Sequence, residues 1–175
     1  MDFSQTHFAL FDLPQAYSID GGQLDAAYRE LQNTVHPDRF TAKPEAEQRV
    51  AMQWATQVNE AYQTLRHPVS RGVYLLRLHG IDALDATNTR MAPDFLMQQM
   101  EWREAIEEAR AEKKMAVLDA LSDDLRAAYR RIEARLGDLI DVAQDYDGAR
   151  EAVRQLRFMD KLIAEVGDAY EELES

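Results

Sequence analysis

An all-α fold in two parts is predicted for this chain of 175 residues. Residues 1–79 form an antiparallel helix pair plus a short connecting helix, 80–93 a linker, and 94–175 a three-helix bundle. Two observations predict this. Apolar residues recur at three- and four-residue spacing along most of the chain, and no segment alternates apolar and polar residues with a β-branched bias. With 7 glycines and 5 prolines, the breaks stand out at Asp20-Gly21-Gly22, His36-Pro37, Lys43-Pro44, His67-Pro68, Gly80 and Ala92-Pro93.

In the first part, Leu24, Ala27, Tyr28, Leu31 and Val35 make one buried helical face. His36 falls at the end of that helix. Pro37 cannot continue the hydrogen-bond ladder and biases His36 away from the α region, so the chain turns here. Asp38 follows in the loop, then Phe40-Thr41-Ala42-Lys43-Pro44, then a second face of Ala51, Trp54, Ala55, Val58, Ala61, Tyr62 and Leu65. On residue chemistry alone, His36-Pro37 reads either as a plain helix stop, with a histidine suited to the negative dipole end, or as a loop that meets a partner. Asp25, Arg29, Gln32 and His36 form a polar stripe beside the buried one.

Val73, Tyr74, Leu75, Leu76 and Leu78 are unusually apolar for a connection, so a short helix that packs both parts together is expected there. Gly80 through Pro93, with Asp82, Asp85, Thr87, Asn88 and Thr89, shows little periodicity and reads as the linker. In the second part Phe95, Trp102, Ile106 and Ala109 form one stripe. Leu118, Leu121, Leu125, Ile132, Leu136 and Leu139 form another, and Ala149, Val153, Leu156, Ile163, Val166 and Tyr170 a third. Asp147-Gly148 is expected to separate the last two, and short turns favour an antiparallel bundle.

Leu96, Met97 and Met100 fall off the Phe95–Trp102–Ile106 stripe, and Glu101, Glu104 and Glu108 extend that second face. Phe158 lies nearly opposite Leu156. Such residues either widen the core or form an interface in which methionines adapt to a partner and carboxylates select a basic rim.

Composition narrows the function. A hydrophobic content of 46% supports packed cores, and no apolar run approaches the roughly 20 residues that cross a bilayer. Neither a basic start nor an apolar signal-like segment opens the sequence, so a soluble, cytoplasmic protein is expected. With no cysteine, the chain supplies no disulfide and no thiolate for a cluster or zinc. The net charge of −12 is uneven: residues 1–80 hold 7 Lys/Arg against 9 Asp/Glu, residues 81–175 hold 13 against 23. This disfavours nucleic acid and anionic membranes and favours a basic protein partner, unless it simply reflects a solvated helical surface.

His7, His67 and His79 are isolated, without metal-ligand spacing, and neither a Gly-x-Ser-x-Gly elbow nor a glycine-rich phosphate loop is present. Carboxylate pairs such as Glu107-Glu108 and Asp123-Asp124 are adjacent on helices and point apart. A non-enzyme that needs no cofactor and no metal is expected. A small hydrolase or lyase using His36 and Asp38 as an acid–base pair is the enzymatic alternative, without an evident pocket or nucleophile.

Helix, His36-Pro37-Asp38, loop and longer helix, preceded by Phe8-Ala9-Leu10-Phe11-Asp12-Leu13-Pro14, resemble a J-domain over roughly the first 67 residues. That resemblance implies that His36, Pro37, Asp38 and the flanking Arg29, Gln32 and Arg39 contact a DnaK-type ATPase and stimulate its hydrolysis. Thr64-Leu65-Arg66-His67-Pro68, Tyr74-Leu75-Leu76-Arg77-Leu78-His79-Gly80, Phe95-Leu96-Met97 and Arg157-Phe158-Met159-Asp160-Lys161-Leu162 extend the match to the HscB family, the J-type co-chaperones of iron–sulfur cluster assembly. The match spans nearly the whole chain.

The resemblance implies that the C-terminal helices hold the scaffold IscU and that the J-domain presents it to the chaperone HscA. Transferred by position, the scaffold-binding residues are Leu96, Met97, Met100, Glu101, Glu104, Glu108 and Phe158. Position 100 is methionine where leucine is expected, a shape change cores and interfaces tolerate. The opening at Met1-Asp2-Phe3, without the cysteine-rich extension of some relatives, matches the short bacterial form. The sequence departs from general J-domains in carrying acidic Asp25 and Glu30 beside Arg29, and Arg39 in place of the usual lysine, which fits a dedicated chaperone. A general co-chaperone delivering unfolded clients is the alternative, although no glycine/phenylalanine-rich segment or cysteine-rich repeat is present.

Overall fold

The computed structural model describes residues 4–85 and 91–174, except for the side chain of Pro37. Met1-Asp2-Phe3 and the linker residues Thr87, Asn88 and Thr89 lie outside the described residues. The chain divides into two compact units, Met1–Leu75 and Leu76–Ser175. Among the described residues the regular structure is entirely helical, as the periodicity predicts.

The first unit contains α1 (His7–Leu10), α2 (Gly21–Val35), a 3-10 turn (Pro37–Phe40) and α3 (Glu45–Arg66), and most of α4 (Pro68–Leu78), within which the division falls. Thr6 caps α1, its hydroxyl accepting the Ala9 N–H at 3.2 Å. Asp20 caps α2 by accepting the N–H groups of Gly22 at 2.8 Å and Gln23 at 3.1 Å, satisfying two orphan donors of the first turn. Pro44 opens α3 and Pro68 opens α4, positions where the missing N–H costs nothing.

Helices α2 and α3 run antiparallel, because Asp25 meets Tyr62 while Tyr28 meets Asn59. Leu24 and Val35 of α2 pack against Ala51, Trp54, Val58, Ala61 and Leu65 of α3, all buried. Phe8, Leu10, Phe11, Leu13 and Tyr17 are also buried. The apolar run ahead of α2 is therefore core. Tyr74 of α4 stacks on His7 at 4.2 Å and accepts the His7 N–H at 3.0 Å. Burial there lowers the His7 pKa.

The second unit is the predicted three-helix bundle, formed by α5 (Pro93–Glu112), α6 (Met115–Gly137) and α7 (Tyr146–Glu174). Trp102, Ile106, Ala109, Leu118, Leu121, Leu125, Ala128, Met159, Leu162, Val166 and Ala169 form one buried cluster. Lys113, at φ 51°, ends α5, and the Lys114 N–H closes back on the Ala109 carbonyl at 3.0 Å. Glu151 of α7 accepts from the Ala92 N–H at 3.0 Å, and the Tyr170 hydroxyl donates to Asp119 at 2.6 Å.

Three expectations for the bundle are corrected. The break before α7 is at Gln144, with φ 53°, and Asp145, whereas Asp147-Gly148 belongs to the first turn of α7. Asp145 caps that turn by accepting the Gly148 N–H at 3.0 Å, and its carboxylate comes so close that a Cβ added at position 148 would sit 2.5 Å from Asp145 Oδ2 and turn the cap aside. A π-helical segment, Asp138–Ala143, precedes the break and inserts extra residues into the repeat, so Ile140 is buried and Leu139 only half-buried. On α7, Ile163 is 37% exposed, while Met159 and Leu162 are fully buried. The buried face itself turns along α7, from Ala149, Val153 and Leu156 to Met159, Leu162, Val166 and Ala169, which leaves Ile163 at its edge.

Candidate functional site

The tripeptide occupies the joint between α2 and α3. His36 ends α2 and, with φ −57° and ψ 127°, starts the 3-10 turn. Its Nδ1 accepts the Asp38 N–H at 3.3 Å, and its carbonyl accepts the Arg39 N–H at 3.0 Å. Arg39 Nη1 donates to the Asn33 carbonyl at 2.9 Å, tying the turn to the last turn of α2. The side chains of His36 and Asp38 are 50% and 85% exposed.

A cavity of about 360 Å³ opens beside this turn, lined by Val35, Phe40, Val50, Ala51 and Trp54, with Glu47 as its charged member. Neither His36 nor Asp38 lines it. His36 Nδ1 and Asp38 Oδ2 lie 3.6 Å apart on side chains open to water, so the geometry does not favour an acid–base centre.

The polar stripe of α2 is organised from α3. Tyr28 and Tyr62 stack at 3.9 Å. The Tyr28 hydroxyl donates to Asn59 Oδ1 at 2.9 Å and accepts from Gln32 Nε2 at 3.1 Å. Gln32 is thereby oriented on an exposed face. Asp25 does not join that face: it is half-buried and accepts the Tyr62 hydroxyl at 2.8 Å, and this hydrogen bond raises the Tyr62 pKa. Arg29 is exposed, its Nε donating to the Asp25 carbonyl at 3.1 Å.

On α5, Leu96, Met97 and Met100 are 46%, 60% and 72% exposed, so they do not widen the bundle core. Glu101, Glu104 and Glu108 are exposed as well. At about 100° per residue, these six side chains share an arc of about 140°, opposite Phe95, Trp102, Ile106 and Ala109. The strip is one apolar ridge flanked by carboxylates. Phe158 of α7 is half-buried, in edge contact with Phe95 at 6.0 Å, and the Arg103 guanidinium lies 5.3 Å from its ring centroid. Phe158 therefore belongs partly to the core, more so than its place opposite Leu156 suggested.

Comparison with known proteins identifies the chain. The family model described as the HSCB C-terminal oligomerisation domain matches residues 91–167, the stretch that carries the strip. A co-chaperone protein HscB homolog of Burkholderia thailandensis is 54% identical over 174 residues, covering 99% of both chains. The chain belongs to the HscB co-chaperone family. Among solved structures, the chaperone HscB from Vibrio cholerae superposes with a TM-score of 0.84 at 35% identity, covering 97% of this chain and 99% of that one. The human co-chaperone protein HscB does so with a TM-score of 0.85 at 28% identity, covering 95% and 83%.

Within this HscB chain the residues singled out from the sequence fall into two groups, each within its own unit: Arg29, Gln32, His36, Pro37, Asp38 and Arg39 in the first, and the α5 strip with Phe158 in the second. Tyr28, Asn59 and Arg103 were not singled out. Tyr28 reads as core by spacing, and the Arg103–Phe158 contact joins α5 to α7, so no local pattern announces either. No helix among the described residues is long and apolar enough to cross a membrane, and no group of three metal-ligating side chains is gathered among them.

Proposed function

We propose that this chain is a cytoplasmic J-type co-chaperone that binds an IscU-type scaffold protein and delivers it to an HscA-type chaperone, stimulating its ATPase and promoting cluster transfer to iron–sulfur proteins. The observation that carries this reading is the exposed ridge of Leu96, Met97 and Met100 with Glu101, Glu104 and Glu108 beside it, in a chain of the HscB family. A ridge of this composition fits a folded partner with an apolar centre and basic rim. Phe158, braced by Phe95 and Arg103, closes the patch as a rigid aromatic anchor.

The first unit engages the ATPase through His36-Pro37-Asp38, with Arg29, Gln32 and Arg39 alongside. The chain performs no chemistry on the cluster or the nucleotide. It couples two bindings, and the chaperone supplies the catalysis.

The two surfaces separate by mutation. His36→Gln abolishes ATPase stimulation and leaves scaffold affinity intact, whereas Leu96→Ala with Phe158→Ala weakens scaffold binding and leaves scaffold-independent stimulation intact. Stimulation undiminished in His36→Gln would remove the mechanism.

A further inference from the structure

We propose that His36 is a positioning group as well as a contact: its Nδ1 caps the 3-10 turn, which fixes the neutral imidazole with its proton on Nε2, and this Nε2–H is the one donor the ring offers to a partner.

The inference starts from Pro37. As the first residue of the turn it has no N–H, so the first orphan donor is the Asp38 N–H, and the group that accepts it is His36 Nδ1, at 3.3 Å. An imidazole nitrogen accepts only through a lone pair, so Nδ1 carries no proton while the cap is made, and the neutral ring then carries its proton on Nε2. The competing arrangement places a proton on Nδ1 and directs it to the Asp38 carboxylate. Asp38 Oδ2 is 3.6 Å from Nδ1, beyond hydrogen-bond length, and an Nδ1–H would face the Asp38 N–H donor to donor.

Histidine, proline and aspartate thus have linked tasks. Proline removes the competing donor, histidine supplies the cap on one nitrogen and the outward donor on the other, and the Asp38 side chain, 85% exposed, stays open to a cation. The partner group facing His36 is then a hydrogen-bond acceptor, a carbonyl or carboxylate. This last step rests on the chaperone contact proposed above; the tautomer does not.

The test is long-range ¹H–¹⁵N correlation on the isolated protein with ¹⁵N-labelled histidine, at a pH where imidazole is neutral, followed by ATPase assays with HscA. The expected spectrum gives His36 an unprotonated Nδ1 and a protonated Nε2. A protonated Nδ1, or an averaged pair, would overturn the proposal. In the assay, His36→Asn keeps an acceptor at the Nδ1 position but has no Nε2–H, so the Asp38 amide resonance stays near its wild-type shift and stimulation falls to the basal rate. In His36→Gln the amide resonance moves, because the cap is lost. Full stimulation by His36→Asn would overturn the donor role. Wild-type protein that shows the expected tautomer yet fails to stimulate HscA would refute the chaperone reading instead.

Discussion

Replacing Leu96 and Met100 together by alanine distinguishes an interface from a core. Leu96 is 46% exposed and Met100 72% exposed, and complete removal of such a side chain from water contributes about 1.5–3 kcal/mol. Scaled by the exposed fractions, a partner covering the ridge gains about 0.7–1.4 kcal/mol from Leu96 and about 1.1–2.2 kcal/mol from Met100. Losing both, about 2–3.5 kcal/mol, weakens the Kd for the scaffold roughly 25- to 300-fold. Isothermal titration calorimetry reads this directly. The calorimetric unfolding free energy of the same variant falls by about 1–2.5 kcal/mol, the share of the two side chains already covered in the free chain. Ile106, 2% exposed in the cluster beneath, is the contrast; Ile106→Ala costs about 2–5 kcal/mol of stability. A double variant that binds scaffold within threefold of wild type would refute the reasoning.

Two further predictions concern the bundle. The hydrogen bond to Asp119 pushes the Tyr170 phenol up to about 12, so folding favours its neutral form; that contribution is intact below the ordinary value of 10.0 and is lost as pH rises from there through about 12. Tyr170→Phe therefore flattens the alkaline limb of a stability–pH curve, and an unchanged limb would count against the contact. At the start of α7, Asp145→Ala costs about 1 kcal/mol of stability in the wild-type background. It costs close to nothing after Gly148→Ala, because the new Cβ, 2.5 Å from Asp145 Oδ2, has already displaced the cap. Full additivity in this double-mutant cycle would contradict the close approach.

The periodicity of Leu24–Val35, Ala51–Leu65 and Trp102–Ala109 made the helices and their buried faces legible, because each of those residues faces one neighbour. Ile163 misled because a helix as long as Tyr146–Glu174 changes the face it buries along its length. The start of α7 misled for a different reason: Gly148 looks like a breaker, but it lies inside the helix, where its missing Cβ leaves room for the capping Asp145 carboxylate. Leu96, Met97 and Met100 could be separated from the core stripe by angle, yet whether they met solvent or a third helix depended on tertiary placement. Asp25 shows the same limit, since its partner Tyr62 is 37 residues away. The capping of the turn by His36 Nδ1 is a matter of side-chain rotamer, which spacing does not encode.

Steady-state ATP hydrolysis by HscA, with this protein, with the IscU scaffold, with both and with neither, tests the central claim most directly, with DnaK run in parallel. The account predicts stimulation by both together that exceeds the sum of each alone, and a weak response from DnaK. Equal stimulation of HscA and DnaK, indifferent to scaffold, would contradict it.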